Sequence, residues 1–211
     1  MEERRINPAL LAGRFPDWQK LYASQPVETM PWYHPALDHD LDAALKAKNL
    51  SSGTFLDIGT GPGTQAALLA QRGFTVTGTD VADTAIAKAG ALSTEVRWMQ
   101  DDILKTKLSE PFDFAFDRGC FHVLDPKDRP TYVATLKRLV KRGGAAFLKC
   151  FSADMPDTGL GPHRFSRKDI EDIFGVDFEI ESIHDSEYRG QLDPPPKALF
   201  IVLKPKEVDH G

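Results

Sequence analysis

Residues 55–70 read FLDIGTGPGTQAALLA, and this segment constrains the fold more than any other. An apolar run gives way to glycines at 59, 61 and 63, then to a small-and-leucine run that stops at Gly73. That is the pattern of a strand, a tight turn and a helix closed by a glycine terminator. The alternation continues along the chain. Apolar runs predict strands at 54–58, 74–79, 95–99, 112–116 and 145–150, and helical periodicity falls at 64–72, 83–92, 120–125 and 130–141. Strand, helix, strand in this rhythm implies parallel pairing through right-handed crossovers, with helices on both faces. FLDI, FDFAF and AAFLKCF are nearly continuous apolar runs, as strands covered on both faces require.

The two ends depart from this rhythm. Ser166 and Asp169 form a capping-box pattern that opens a short helix ending near Phe174. Runs at 178–184 and 198–203 then predict two strands with no helical pattern between them, which makes an antiparallel hairpin. Before the sheet, Trp18, Leu21 and Tyr22 and then Leu37, Leu41, Ala44 and Leu45 recur at helical spacing. The expectation is one domain over residues 1–211: a helical cover at 1–50 on an α/β core at 51–204, doubly wound around a mostly parallel seven-stranded sheet. A length of 211 residues suits one domain. No stretch approaches the ~18 apolar residues of a membrane span, and the first residues lack a signal-peptide run. Cys120 and Cys150 are too few for a disulfide framework, so a cytoplasmic setting is expected. A net charge of −5 argues against a nucleic-acid partner.

The turn after the first strand brings backbone close to a ligand at the carboxyl edge of the sheet, where open α/β folds bind ligands. A dinucleotide fingerprint needs glycine at 64, and the chain has Thr64. Asp57, two residues before Gly59, would repel a pyrophosphate and suits a ligand bearing an ammonium. The next strand ends in Asp80, placed to accept from both hydroxyls of a ribose. Asp102 follows the third strand and can either accept from an exocyclic amine or cap a helix, and Asp117 ends the fourth. The pocket is therefore acidic.

DIGTGPG, GTD, QDDI, FDRGCFH and the LVKRGG turn, in that order, resemble the class I S-adenosylmethionine-dependent methyltransferases, over residues 50–204. The resemblance implies that Asp57 and the loop Gly59, Thr60, Gly61, Gly63 meet the methionine part of S-adenosylmethionine. It implies Asp80 on the ribose, Val81 on the adenine face, Asp102 and Ile103 on the adenine edge, and Asp117, Arg118 and Gly119 near the methyl. The final hairpin then inserts the last strand antiparallel. Trp18, Tyr22 and the Met30-Pro31-Trp32 step resemble the small-molecule branch with thiopurine, thiol and tellurite methyltransferases, which implies that Trp32 closes over the cofactor. Tyr33 stands where that branch commonly has an acidic residue.

The implied reaction is in-line methyl transfer to a small acceptor, such as a thiol or a related soft nucleophile, leaving S-adenosylhomocysteine. Alignment supplies most of the catalysis, and a base is needed only if the acceptor must lose a proton in the step. His122 is the candidate base, with Asp117 beside it; a satisfied helix histidine is the rival reading. Residues 152–164 and 186–196, with Cys120, Phe121, His122 and Phe151, are candidates for the acceptor wall. His34, His39, His163 and His184 show no metal-ligand spacing, so no metal is expected. The rival functions are a noncatalytic cofactor-binding module and a nicotinamide-dependent oxidoreductase.

Overall fold

The computed structural model of the chain describes residues 11–12, 14–156, 159 and 161–207. Seven long strands build the sheet: β1 Gly53–Ile58, β2 Phe74–Asp80, β3 Arg97–Gln100, β4 Phe112–Arg118, β5 Val140–Ser152, β6 Phe178–Glu187 and β7 Lys197–Pro205. Their order is β3-β2-β1-β4-β5-β7-β6. The first five run parallel, while β7 is antiparallel to both β5 and β6. The hairpin thus inserts its last strand beside β5, as expected. Strand order reverses between β1 and β4, the crevice at which doubly wound sheets bind ligands. The two-residue strand Arg164–Phe165 extends the carboxyl end of β5, and Leu11–Ala12 pairs with Phe15–Pro16.

Six α-helices accompany the sheet in the described residues: α1 Trp18–Ser24, α2 His39–Ala47, α3 Thr64–Gln71, α4 Asp83–Leu92, α5 Arg129–Leu139 and α6 Arg167–Phe174. Local chemistry starts them. The Asp38 side chain accepts from Asp40 N and Leu41 N ahead of α2, and Ser166 with Asp169 forms the expected capping box on α6. Side chains alternate across the sheet into two cores. Leu56, Ala115 and Leu148 face α5 and α6, while Phe55, Phe116 and Phe147 face α2 and α3. None of the described helices is long and apolar enough to cross a membrane.

Two local expectations are corrected. Residues 120–125 do not form an α-helix; Phe121–Val123 is a single 3₁₀ turn followed by a second at Pro126–Asp128. The helix expected at 130–141 ends at Leu139, ahead of Gly143 and Gly144, and β5 begins at Val140. The glycines lie inside β5, where its register with β4 skips from Phe112↔Val140 to Phe114↔Ala145.

Candidate active site

At the carboxyl ends of the strands lies a cavity of about 730 Å³, within the range of small-molecule sites. Asp57, at the end of β1, is only 2% exposed. Burial pushes its carboxyl up to about 7, against the bond donated by the Thr60 hydroxyl at 2.5 Å. The glycine turn folds back onto β2. Gly61 N–H donates to Asp80 Oδ2 at 2.9 Å, and Ala82 N–H donates to Asp80 Oδ1 at 2.9 Å. Each Asp80 oxygen keeps a second lone pair, and burial raises its pKa. Gly61 has φ +54°, and a Cβ there would lie 2.7 Å from the Tyr22 hydroxyl, so only glycine lets the cover rest on the turn.

Val81 is 53% exposed, an apolar side chain left open on the cavity wall, with Ile103 nearby. Asp102 also lines the cavity, and its Oδ1 accepts from Leu104 N at 3.0 Å, so both sequence readings of this residue meet at one carboxylate. The cover closes the opposite side. Trp32 packs edge-on against Trp18 and Tyr22, and this aromatic set sits on Ala82 and Ala85 next to β2. Gln65 on α3 ties the cover down, donating to Ala36 O and accepting from Asp38 N.

Two residues expected near the reacting methyl are turned to other work. Asp117 does not line the cavity. Its carboxylate accepts from Gly119 N, Cys120 N, Phe121 N and the Tyr132 hydroxyl, which holds the turn after β4; burial raises its pKa to about 6. Arg118 lines the cavity but spends its guanidinium on protein: Asp38 Oδ2 at 3.0 Å, Trp32 O at 3.0 Å and Arg189 O. It also stacks over the Tyr188 ring at 4.5 Å. Gly119 stays at the cavity with φ +105°, where a Cβ would meet the Tyr188 hydroxyl at 2.5 Å.

His122 lines the cavity while only 4% exposed. Its Nδ1 accepts from Phe151 N–H at 3.2 Å, and burial, with Arg118, His163 and Arg164 nearby, lowers its pKa to about 3. A ring with its lone pair so engaged presents a donor, and that geometry counts against a general base.

Lys149 and Asp38 were not among the expected site residues. Lys149 is fully buried on β5 and donates to both Asp38 oxygens and to Asp40 Oδ2. A lysine within the apolar run AAFLKCF was the available signal, since a buried cation needs a paired anion. Asp38, His39 and Asp40 bring possible metal-ligand atoms within 4.8 Å, but the Lys149 ammonium already meets both carboxylates. Of the predicted acceptor wall, Cys120, His122, Phe151, Gly161, Pro162, Tyr188, Leu192 and Pro196 border the cavity, whereas Phe121 is buried in the core. Residues 157, 158 and 160 of that wall lie outside the described residues.

Residues 55–144 match the family described as Methyltransferase domain. An uncharacterized methyltransferase of Schizosaccharomyces pombe is 32% identical over 102 residues, 46% of this chain and 70% of that protein. A probable thiol methyltransferase of Arabidopsis thaliana is 26% identical over 146 residues, 66% of this chain and 64% of that one. A solved structure concerned with conversion of a disulfide bond into a thioacetal group during echinomycin biosynthesis superposes with TM-score 0.76 at 25% identity, over 90% of both chains. With the glycine turn, Asp57 and Asp80 set at the switch point of the sheet, these likenesses place the chain in the family of S-adenosylmethionine-dependent methyltransferases.

Proposed function

We propose that the chain methylates a small thiol or a comparably soft nucleophile. The observation that carries this reading is that His122, the histidine expected as the base, already has its Nδ1 lone pair taken by Phe151 N–H. Burial raises the Cys120 thiol well above its ordinary range and pushes Tyr188 up to about 12, while His122 is lowered to about 3. Amines held as ammonium ions and most phenols need a base at neutral pH; a thiol near pKa 8.5 ionises by itself. Phe15, Val123, Leu124, Phe151 and Leu192 make the surrounding wall apolar, and a dry wall favours a reaction that cancels charge. The Arabidopsis relative bearing a thiol methyltransferase name supports the same class.

The residues present fit the cofactor. Asp57 suits the ammonium of its amino-acid part, whose charge would hold the carboxyl ionised. Asp80 has lone pairs left for the ribose hydroxyls, Val81 and Ile103 offer apolar faces to the adenine, and Asp102 an acceptor for its amine. Thr60 and the Gly59 and Gly61 backbone border the space for the methionine chain, and Gly119 lets the reacting end approach β4. Gly63 stands off the cavity, its missing Cβ leaving room for Trp98 and Ala89 instead. When bound, S-adenosylmethionine supplies an electrophilic methyl on a sulfonium. The chain's part is alignment: the glycine turn fixes one end, and Trp32 and Tyr22 exclude water from above. The test is direct. Purified protein with S-adenosylmethionine and a panel of thiols, amines, phenols and carboxylates should yield methyl thioethers. Their rate should rise with pH along each thiol's own ionisation. Transfer to amines or phenols with no thioether formed would overturn the thiol reading, and no transfer to any acceptor would favour a noncatalytic module.

A further inference from the structure

We propose that His122 determines acceptor specificity as a fixed hydrogen-bond donor, its Nε2–H directed into the cavity to receive a nucleophile that arrives as an anion. This rests on the thiol reading above and names the side chain that recognises the thiolate.

The geometry starts from the far side of the ring. Phe151 N–H, at the end of β5, donates to Nδ1 at 3.2 Å, and a neutral imidazole accepting at Nδ1 carries its proton on Nε2. The ring has little freedom to turn over. It stacks on Tyr188 with centroids 5.7 Å apart at 25°, meets Phe151 edge-on at 4.9 Å, and its own carbonyl accepts from His163 N at 2.7 Å. Nε2 lies over the turn at Gly119, 3.0 Å from where a Cβ there would stand, so glycine keeps the space beneath it open. The Tyr188 hydroxyl is committed to Arg118 O at 2.7 Å.

The groups facing His122 come from four segments. Arg118 ends β4, Cys120 shares the turn, His163 and Arg164 precede α6, and Tyr188 follows β6. Arg118, His163 and Arg164 disfavour a proton added to His122, so the ring stays neutral with its proton on Nε2. A donor fixed there lowers the pKa of a bound thiol through the hydrogen bond to its thiolate and orients its sulfur. The balance is simple. The thiol proton passes to solvent before transfer, and the thiolate lone pair then forms the new S–C bond. The sulfonium S–C bond breaks with its pair retained on the leaving sulfur, and His122 keeps its proton throughout.

The test compares wild type with His122→Leu and His122→Gln on one thiol over pH 6–10, beside imidazole ¹⁵N spectra of the wild-type protein. A charge-assisted hydrogen bond lost in His122→Leu should move the half-maximal pH of kcat/KM up by about one to two units while the high-pH rate is largely kept. Gln can both accept from Phe151 N–H and donate into the cavity, so His122→Gln should stay near the wild-type profile. The spectra should show Nε2 protonated and Nδ1 accepting from pH 8 down to pH 5. A His122→Leu profile lowered equally at every pH, or a histidine protonated at Nδ1 or titrating near neutrality, would overturn the donor role. If wild type forms no thioether with any thiol, the thiol reading falls, while the spectra still decide the donor geometry.

Discussion

Asp57 and Asp80 end adjacent strands, both buried and both raised by that burial, yet they are held differently. Asp80 is gripped by two backbone N–H groups and Asp57 by one hydroxyl. Asp80→Ala should therefore weaken cofactor binding by roughly 1.5–3 kcal/mol, the worth of hydrogen bonds to a charged group. Titration calorimetry with S-adenosylhomocysteine measures it, and wild-type affinity would remove Asp80 from the ribose site. Asp57, near 7, and Asp117, near 6, also shape stability. Unfolded, both would lose their protons near pH 4. Between pH 4 and 7 the native state therefore binds more protons than the unfolded one, and stability falls as pH rises through that window. The Tm of ligand-free protein should drop less between pH 5 and pH 8 in Asp57→Asn than in wild type; equal drops would show that Asp57 ionises freely.

At the scale of elements, the turn after β4 is decided by one carboxylate. FDRGCFH has residues of helical spacing, but Asp117 gathers N–H donors from Gly119 to Phe121, leaving room for only one 3₁₀ turn. The Tyr132 hydroxyl, 2.6 Å from Asp117 Oδ2, pins α5 to the same point. Tyr132→Phe should cost roughly 1.5–3 kcal/mol by denaturant unfolding, because a buried carboxylate loses a partner. A change within about 0.5 kcal/mol would mean that the N–H groups alone satisfy it.

Across the whole molecule, the cover is fastened by a buried ionic cluster. Lys149 from β5 and Arg118 from β4 meet on Asp38, and Arg118 goes on to Trp32 O of the cover and Arg189 O beyond β6. These two cations outweigh the burial that would raise Asp38, and its pKa is lowered. Lys149→Met should destabilise the fold by about 3–5 kcal/mol by leaving buried carboxylates short of a partner. Amide exchange should quicken across residues 31–41 before it does in the β-sheet. A Lys149→Met variant as stable as wild type would show that the cover is held by apolar packing alone.

What the sequence determined by itself is the sheet and its ligand-binding edge. Apolar runs, a glycine turn and strand-ending aspartates are local signals, set by side-chain period and backbone freedom within a few residues. They put Asp57 and Asp80 at the edge of the sheet that borders the cavity, and the family resemblance added Val81 and Ile103. Which partner each charged group takes is not local. Asp38 and Lys149 are 111 positions apart, and Arg118 and Asp38 are 80 apart. Only the closed tertiary structure brings them within hydrogen-bond distance, where the cost of burying a charge forces pairing. For that reason Arg118 became a fastening of the cover, although the family resemblance placed it near the methyl.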